Sequence, residues 1–164
     1  MINKSIENML FENKYELLTP ANKVSMVFND NTLLHAYMIL NNTSYLSVPV
    51  LDKKNKFVGL TSIKNIFSFL GEKIYDGFEI LEDYKVEEAL DNNFYIVKED
   101  FKLDEVMRAL INYNFLIVCD DECIFKGIIT RSSLFKRINY MAHEFDKNYI
   151  ISQRPKRSFF KLKK

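Results

Sequence analysis

A chain of 164 residues has room for one ordinary domain or two small ones packed together. Its net charge of +1 gives no global field to attract nucleic acid. An apolar share of 48% beside 27% charged residues, with only 4 Gly and 3 Pro, excludes a disordered chain.

The chain opens on MINKSIENML, which carries no hydrophobic leader, and no apolar run reaches the roughly 18 residues of a membrane span. A cytoplasmic protein is therefore expected. A short helical stretch at about Ile6–Phe11 begins an N-terminal helical segment, residues 1–20. An apolar strand, Val24–Val27, then leads into a helix on which Leu33, Tyr37 and Leu40 keep helical spacing. A buried strand at Ser47–Leu51 and the polar turn KKNK precede a strand through Gly59 and a helix capped by Ser62. The acidic stretch Glu79–Asp83 reads as a solvated linker. The rhythm then recurs: strand Phe94–Val97, helix through Leu103, Val106, Met107 and Leu110, strand Leu116–Cys119, turn DDEC, strand through Gly127, and a helix capped by Thr130. A trailing helix is expected at about Leu134–Phe145.

The recurrence is a true repeat. Shifted by 68 positions, Val50 meets Val118, Asp52 meets Asp120, Phe57 meets Phe125, Gly59 meets Gly127 and Ser62 meets Thr130. Upstream the shift is 70, so that VSMVFNDNTL from Val24 meets FYIVKEDFKL from Phe94. A slip of two residues is what a loop tolerates. The fold class is α+β: two β-α-β-β-α repeats packed as a pseudo-symmetric pair, with repeat 1 over 21–78, repeat 2 over 79–146 and a basic tail over 147–164.

Little in the chain suggests catalysis. No Gly-rich phosphate loop, Gly-x-Ser-x-Gly elbow or paired-His metal motif occurs. Cys119 and Cys123 are two ligands where a zinc site needs about four, and His35 and His143 lie far from them in sequence. All four read as packing or surface residues, and reduced cysteines suit the cytoplasm.

The motifs SVPVLD (Ser47–Asp52), FVGLTSIKNI (Phe57–Ile66) and FKGIITRSSL (Phe125–Leu134) resemble the CBS (cystathionine-β-synthase) domain family, which occurs as tandem pairs. With ANKVSMV (Ala21–Val27), SYLSVPVLD (Ser44–Asp52) and the stretch Ile111–Arg131, the chain is similar to stand-alone CBS-pair proteins of Gram-positive bacteria that bind cyclic di-AMP. The family's ribose-binding Asp falls on Asn65 and Ser133, which weighs against a site for AMP, ADP or ATP. Ser132 stands where the cyclic di-AMP-binding group usually has a second Arg, and Ile117 replaces the Pro49 of the first copy.

The resemblance implies a nucleotide held between the repeats by Lys23, Ser25, Tyr45, Leu46, Ser47 and Val48 from one side and Thr130, Arg131, Ser132 and Ser133 from the other. In that reading Leu46 and Val48 sandwich and read the adenine, and Tyr45 stacks on it. Thr130 stands at a helix N-terminus suited to phosphate, and Arg131 and Lys23 supply the cations. The mirror site, with Tyr95, Phe115, Leu116 and Ile117 facing Ser62 and Asn65, is expected to be filled by side chains.

The resemblance further implies a homodimer, no cofactor, no catalysis and no membrane. The apo form would stimulate a partner enzyme such as the (p)ppGpp synthetase/hydrolase or pyruvate carboxylase, and cyclic di-AMP would release it. An adenine-mononucleotide sensor and a structural dimer without ligand remain rivals. The tail RPKRSFFKLKK from Arg154, six basic residues in eleven, reads as a solvated terminus, a nucleic-acid arm, a membrane-surface anchor or a docking segment.

Overall fold

A computed structural model describes residues 17–43 and 45–148; the expected helix at Ile6–Phe11 and the basic tail from Arg154 lie outside them. Strand β1 (Leu18–Pro20) and a 3-10 turn (Ala21–Lys23) precede the first repeat: β2 (Val27–Phe28), α1 (Leu33–Asn42), β3 (Val48–Leu51), β4 (Phe57–Thr61) and α2 (Ile63–Leu70). Three 3-10 segments between Gly71 and Ala89 lead to the second repeat: β5 (Ile96–Lys98), α3 (Leu103–Asn112), β6 (Phe115–Cys119), β7 (Phe125–Thr130) and α4 (Arg131–Asn148). The α+β pair expected from the repeat is the fold observed.

Each repeat forms its own sheet, β2-β3-β4 and β1-β7-β6-β5, with a parallel pair and an antiparallel hairpin in each. Period-two alternation divides the side chains between two faces. Val48 and Val50 join Val27, Leu33, Leu40 and Ile66 in the first repeat's core, while Leu116, Val118 and Ile129 join Leu103, Val106 and Leu134 in the second's. The opposite faces meet each other: Leu51 and Leu60 pack with Ile117, Cys119 and Phe125 in a third cluster between the sheets. Helices therefore cover the outer faces, and the two sheets stand back to back.

The pseudo-twofold is visible in the hydrogen bonds. The Phe57 N–H donates to the Cys123 carbonyl at 3.0 Å, and the Phe125 N–H donates to the Asn55 carbonyl at 2.9 Å. Asp52 Oδ1 accepts from the N–H groups of Lys54 and Lys56, as Asp120 Oδ1 does from Glu122 and Ile124. The Asp that ends each strand is thus the residue that closes its turn.

Four expectations change. Leu18–Pro20, assigned to the N-terminal helical segment, is a strand, and it pairs with β7 of the second repeat. The strands foreseen at Val24–Val27 and Phe94–Val97 begin later, because Val24, Met26 and Phe94 are apolar for another reason: they fill the inter-sheet cluster from irregular backbone. The helices foreseen from Thr130 and at Leu134–Phe145 are one helix, α4. The acidic linker is a 3-10 turn whose Leu81 is fully buried, and Leu81, Val86 and Ala89 complete the first repeat's core. Leu81, Val86 and Ala89, which the expected boundary at 79 gives to the second repeat, thus pack in the first repeat's core.

Candidate functional site

A cleft of about 290 Å³ opens between the repeats. Three pieces of chain make its first wall: Lys23 at the end of the 3-10 turn with Val24 and Ser25 after it, Tyr45 and Ser47 before β3, and Pro49 within it. The second wall is Phe115 on β6, Ile128 and Thr130 on β7, and Ser132 at the start of α4. Thr19 and Asn114 close the ends. The middle is apolar, formed by Val24, Pro49, Phe115 and Ile128, and the rim is polar. That combination suits a flat aromatic base with a polar periphery.

Strand geometry explains which residues reach the cleft. Alternation sends Ser47 and Pro49 toward it and Val48 into the first repeat's core, where Val48 is fully buried. Val48 therefore does not sandwich a ligand with its side chain, contrary to the expectation. The same alternation on β7 aims Ile128 and Thr130 at the cleft and Ile129 at the second core. Leu46 is 82% exposed and does not line the cleft; Tyr45, 54% exposed, stands at its mouth. Among the described residues, the backbone groups of 45–47 have no backbone partner, which leaves them open to an adenine edge.

The N-terminus of α4 is closed by a reciprocal cap. Thr130 Oγ1 accepts the Ser133 N–H at 3.0 Å, and the Ser133 hydroxyl donates to the Thr130 carbonyl at 2.8 Å and accepts from the Thr130 N–H at 3.2 Å. Ser133 thus serves the cap. Arg131 is also placed otherwise than expected. Its Nε donates to the carbonyls of Leu110, at 2.7 Å, and Tyr113, and one Nη donates to Ile111 at 3.0 Å. The last turn of a helix leaves carbonyls without partners, and a planar guanidinium suits several at once. Arg131 therefore ties the end of α3 to the start of α4 and does not line the cleft. Of the ten residues expected to bind, the fold brings Lys23, Ser25, Tyr45, Ser47, Thr130 and Ser132 together there.

A second hollow of about 500 Å³ adjoins the cleft, sharing Thr19, Thr130 and Ser132 with it. Ser133, Lys136, Arg137 and Tyr140 complete its lining. Among the described residues two basic side chains line this shelf and no carboxylate does. The sequence reading missed this shelf because it split α4 in two; the signal was the 132–136–140 row, which one continuous helix puts on one face. Pro49 and Ile128 could likewise have been found from alternation alone.

At the mirror position, Leu116 and Ile117 are buried strand residues and Tyr95 leans on Tyr113 at 5.7 Å between ring centroids. Ser62 caps α2 through the Asn65 N–H. Elsewhere, burial pushes the Cys119 thiol up to about 11, which keeps it protonated and unreactive at neutral pH. No group of His, Cys, Asp and Glu among the described residues could hold a metal. None of their helices is long and apolar enough to cross a membrane.

Known proteins share this fold. The curated cyclic di-AMP receptor B of Bacillus subtilis (strain 168) is 29% identical over 139 residues, covering 85% of this chain and 95% of that protein. The crystal structure of CbpB from Streptococcus agalactiae superposes with a TM-score of 0.85 at 29% identity, over 93% of this chain and 96% of that one. CbpB of Listeria monocytogenes, solved in complex with c-di-AMP, gives a TM-score of 0.70 at 34% identity, over 83% and 98%. The CBS domain model matches residues 16–72 and again 83–140, so the chain belongs to the CBS domain family, as a tandem pair similar to CbpB.

Proposed function

We propose that this CBS pair is a receptor for cyclic di-AMP with no catalysis of its own. The observation that carries the reading is the adjacency of two unlike spaces that share Thr19, Thr130 and Ser132: a cleft between the repeats with Val24, Pro49, Phe115 and Ile128 in its lining, and a shelf whose lining includes Lys136 and Arg137. A cyclic dinucleotide needs that pairing, a dry surface for a base and positive charge for phosphates. Val24, Pro49 and Ile128 contact the base, Tyr45 stacks at the mouth, and the free backbone of 45–47 reads the adenine edge. Lys23, Ser25, Ser47, Thr130 and Ser132 hold the sugar-phosphate ring. Arg131 acts at one remove, by fixing Thr130 and Ser132 in place.

The receptor works as a homodimer in the cytoplasm, with one equivalent pocket per protomer. The apo form binds and stimulates a partner enzyme, the (p)ppGpp synthetase/hydrolase being the first candidate, and ligand releases it. Such release requires only that ligand and partner favour different states of the dimer; equal affinity for both states would couple nothing.

Isothermal titration of the purified chain with cyclic di-AMP, beside AMP, ATP and cyclic di-GMP, tests the reading. Saturable binding of cyclic di-AMP alone, at one ligand per protomer, supports it. Displacement by AMP or ATP at comparable concentration would make the chain an adenine-mononucleotide sensor instead. No binding by any of the four would sink the receptor reading, and a steep salt-dependent affinity for RNA lost on deleting residues 154–164 would point to the tail. Synthesis of (p)ppGpp by the partner enzyme, assayed with apo protein and then with ligand added, checks the regulatory half.

A further inference from the structure

Cyclic di-AMP carries two phosphodiesters, and therefore two negative charges to be matched. The cleft itself contributes one cation, Lys23. Arg131 lines neither the cleft nor the shelf, and its Nε and one Nη donate to the carbonyls at the end of α3. The shelf supplies the alternative. Lys136 lies one helical turn beyond Ser132, on the same face of α4, and Ser132 lines both spaces.

The surroundings of Lys136 differ from those of the paired lysines. Lys53, Lys98 and Lys126 each sit within 3.0 Å of a carboxylate. Among the described residues Lys136 makes no ion pair and no acid lines the shelf. Beside it the nearly buried Arg137 lies over the Tyr140 ring at 5.1 Å. A compact ammonium on a flexible stem can swing toward the shared edge at Ser132 without displacing an existing partner.

We infer that Lys136 is the second phosphate-binding cation of this receptor, reaching across the shelf to the phosphodiester that Lys23 does not meet. The inference rests on the cyclic di-AMP reading. It assigns to the chain a binding residue outside the ten read from the sequence, and it makes the shelf the seat of the ligand's second half.

Titration calorimetry of the full chain with cyclic di-AMP, on wild type, Lys136→Gln, Lys136→Arg and Lys102→Gln, tests it. Lys102 lines a separate groove on α3 and serves as the charge control. Lys136→Gln should weaken binding by about tenfold, a factor within the range of one charge-assisted contact, and should flatten the loss of affinity with added salt. Lys136→Arg and Lys102→Gln should stay within about twofold of wild type, all with unchanged melting temperature because both lysines are exposed. If wild type binds and Lys136→Gln binds equally well at every salt concentration, the inference is overturned and the receptor reading stands. If wild type itself does not bind, the receptor reading falls and takes the inference with it.

Discussion

Gly59 and Gly127 occupy the same place in the two repeats, and their surroundings differ. A Cβ built on Gly127 would lie 2.1 Å from the Thr19 carbonyl oxygen, and the residue holds φ +147°. A Cβ on Gly59 would meet nothing nearer than 3.5 Å. The cause is the lead segment of the opposite repeat: β1 lies along β7 over three residue pairs, whereas its counterpart touches β4 through the single Leu60–Asp91 bridge. The same motif residue is therefore obligatory in one copy and replaceable in the other.

Other pairs diverge in the same direction. Arg131 ties down the end of α3, while its counterpart Ile63 is an ordinary partly exposed apolar residue and α1 is closed by Thr43, whose hydroxyl donates to the Leu40 carbonyl. Ser47 and its counterpart Phe115 both line the same cleft, one as a small polar residue and the other as a large apolar wall. Duplication supplied two equivalent frames, and single positions within them have diverged in what they touch.

The glycine contrast breaks first and hardest. Gly127→Ala should cost about 3 kcal/mol or more, because a backbone carbonyl cannot yield to the new methyl and the conformation disfavours a side chain. Gly59→Ala should cost no more than about 1 kcal/mol. Urea unfolding of both variants measures this; equal losses would mean that β1 does not hold its place against β7. Next comes the helix tie: Arg131→Ala should lose about 1–2 kcal/mol, and Ile63→Ala less than about 1 kcal/mol. Hydrogen exchange should localise the Arg131→Ala loss to the end of α3, and an unchanged α3 would refute the tie. The smallest effect lies in the turns. Asn55 and Cys123 both adopt left-handed backbone, φ 61° and 65°, which Asn tolerates better than Cys. Cys123→Asn should raise stability by about 0.5 kcal/mol, read as a higher melting temperature, with no gain from the reverse change Asn55→Cys.

The sequence by itself determined the repeat, the α+β class and the two hairpins, because apolar periodicity and turn-forming Asp residues are local properties written at fixed spacing. Lys23, Ser25, Tyr45, Ser47, Thr130 and Ser132 were implied as one set by the resemblance to CBS pairs, and all six line the cleft. The remaining features depend on contacts between distant segments. Val24, Met26 and Phe94 look like strand residues but fill the space between sheets, a contact no local pattern encodes. Whether Arg131 faces a ligand or a helix end depends on where α3 stops in space, and the carbonyls there capture its donors. The shelf needs α4 to run unbroken past Leu134, so that Ser132, Lys136 and Tyr140 share one face beside the cleft.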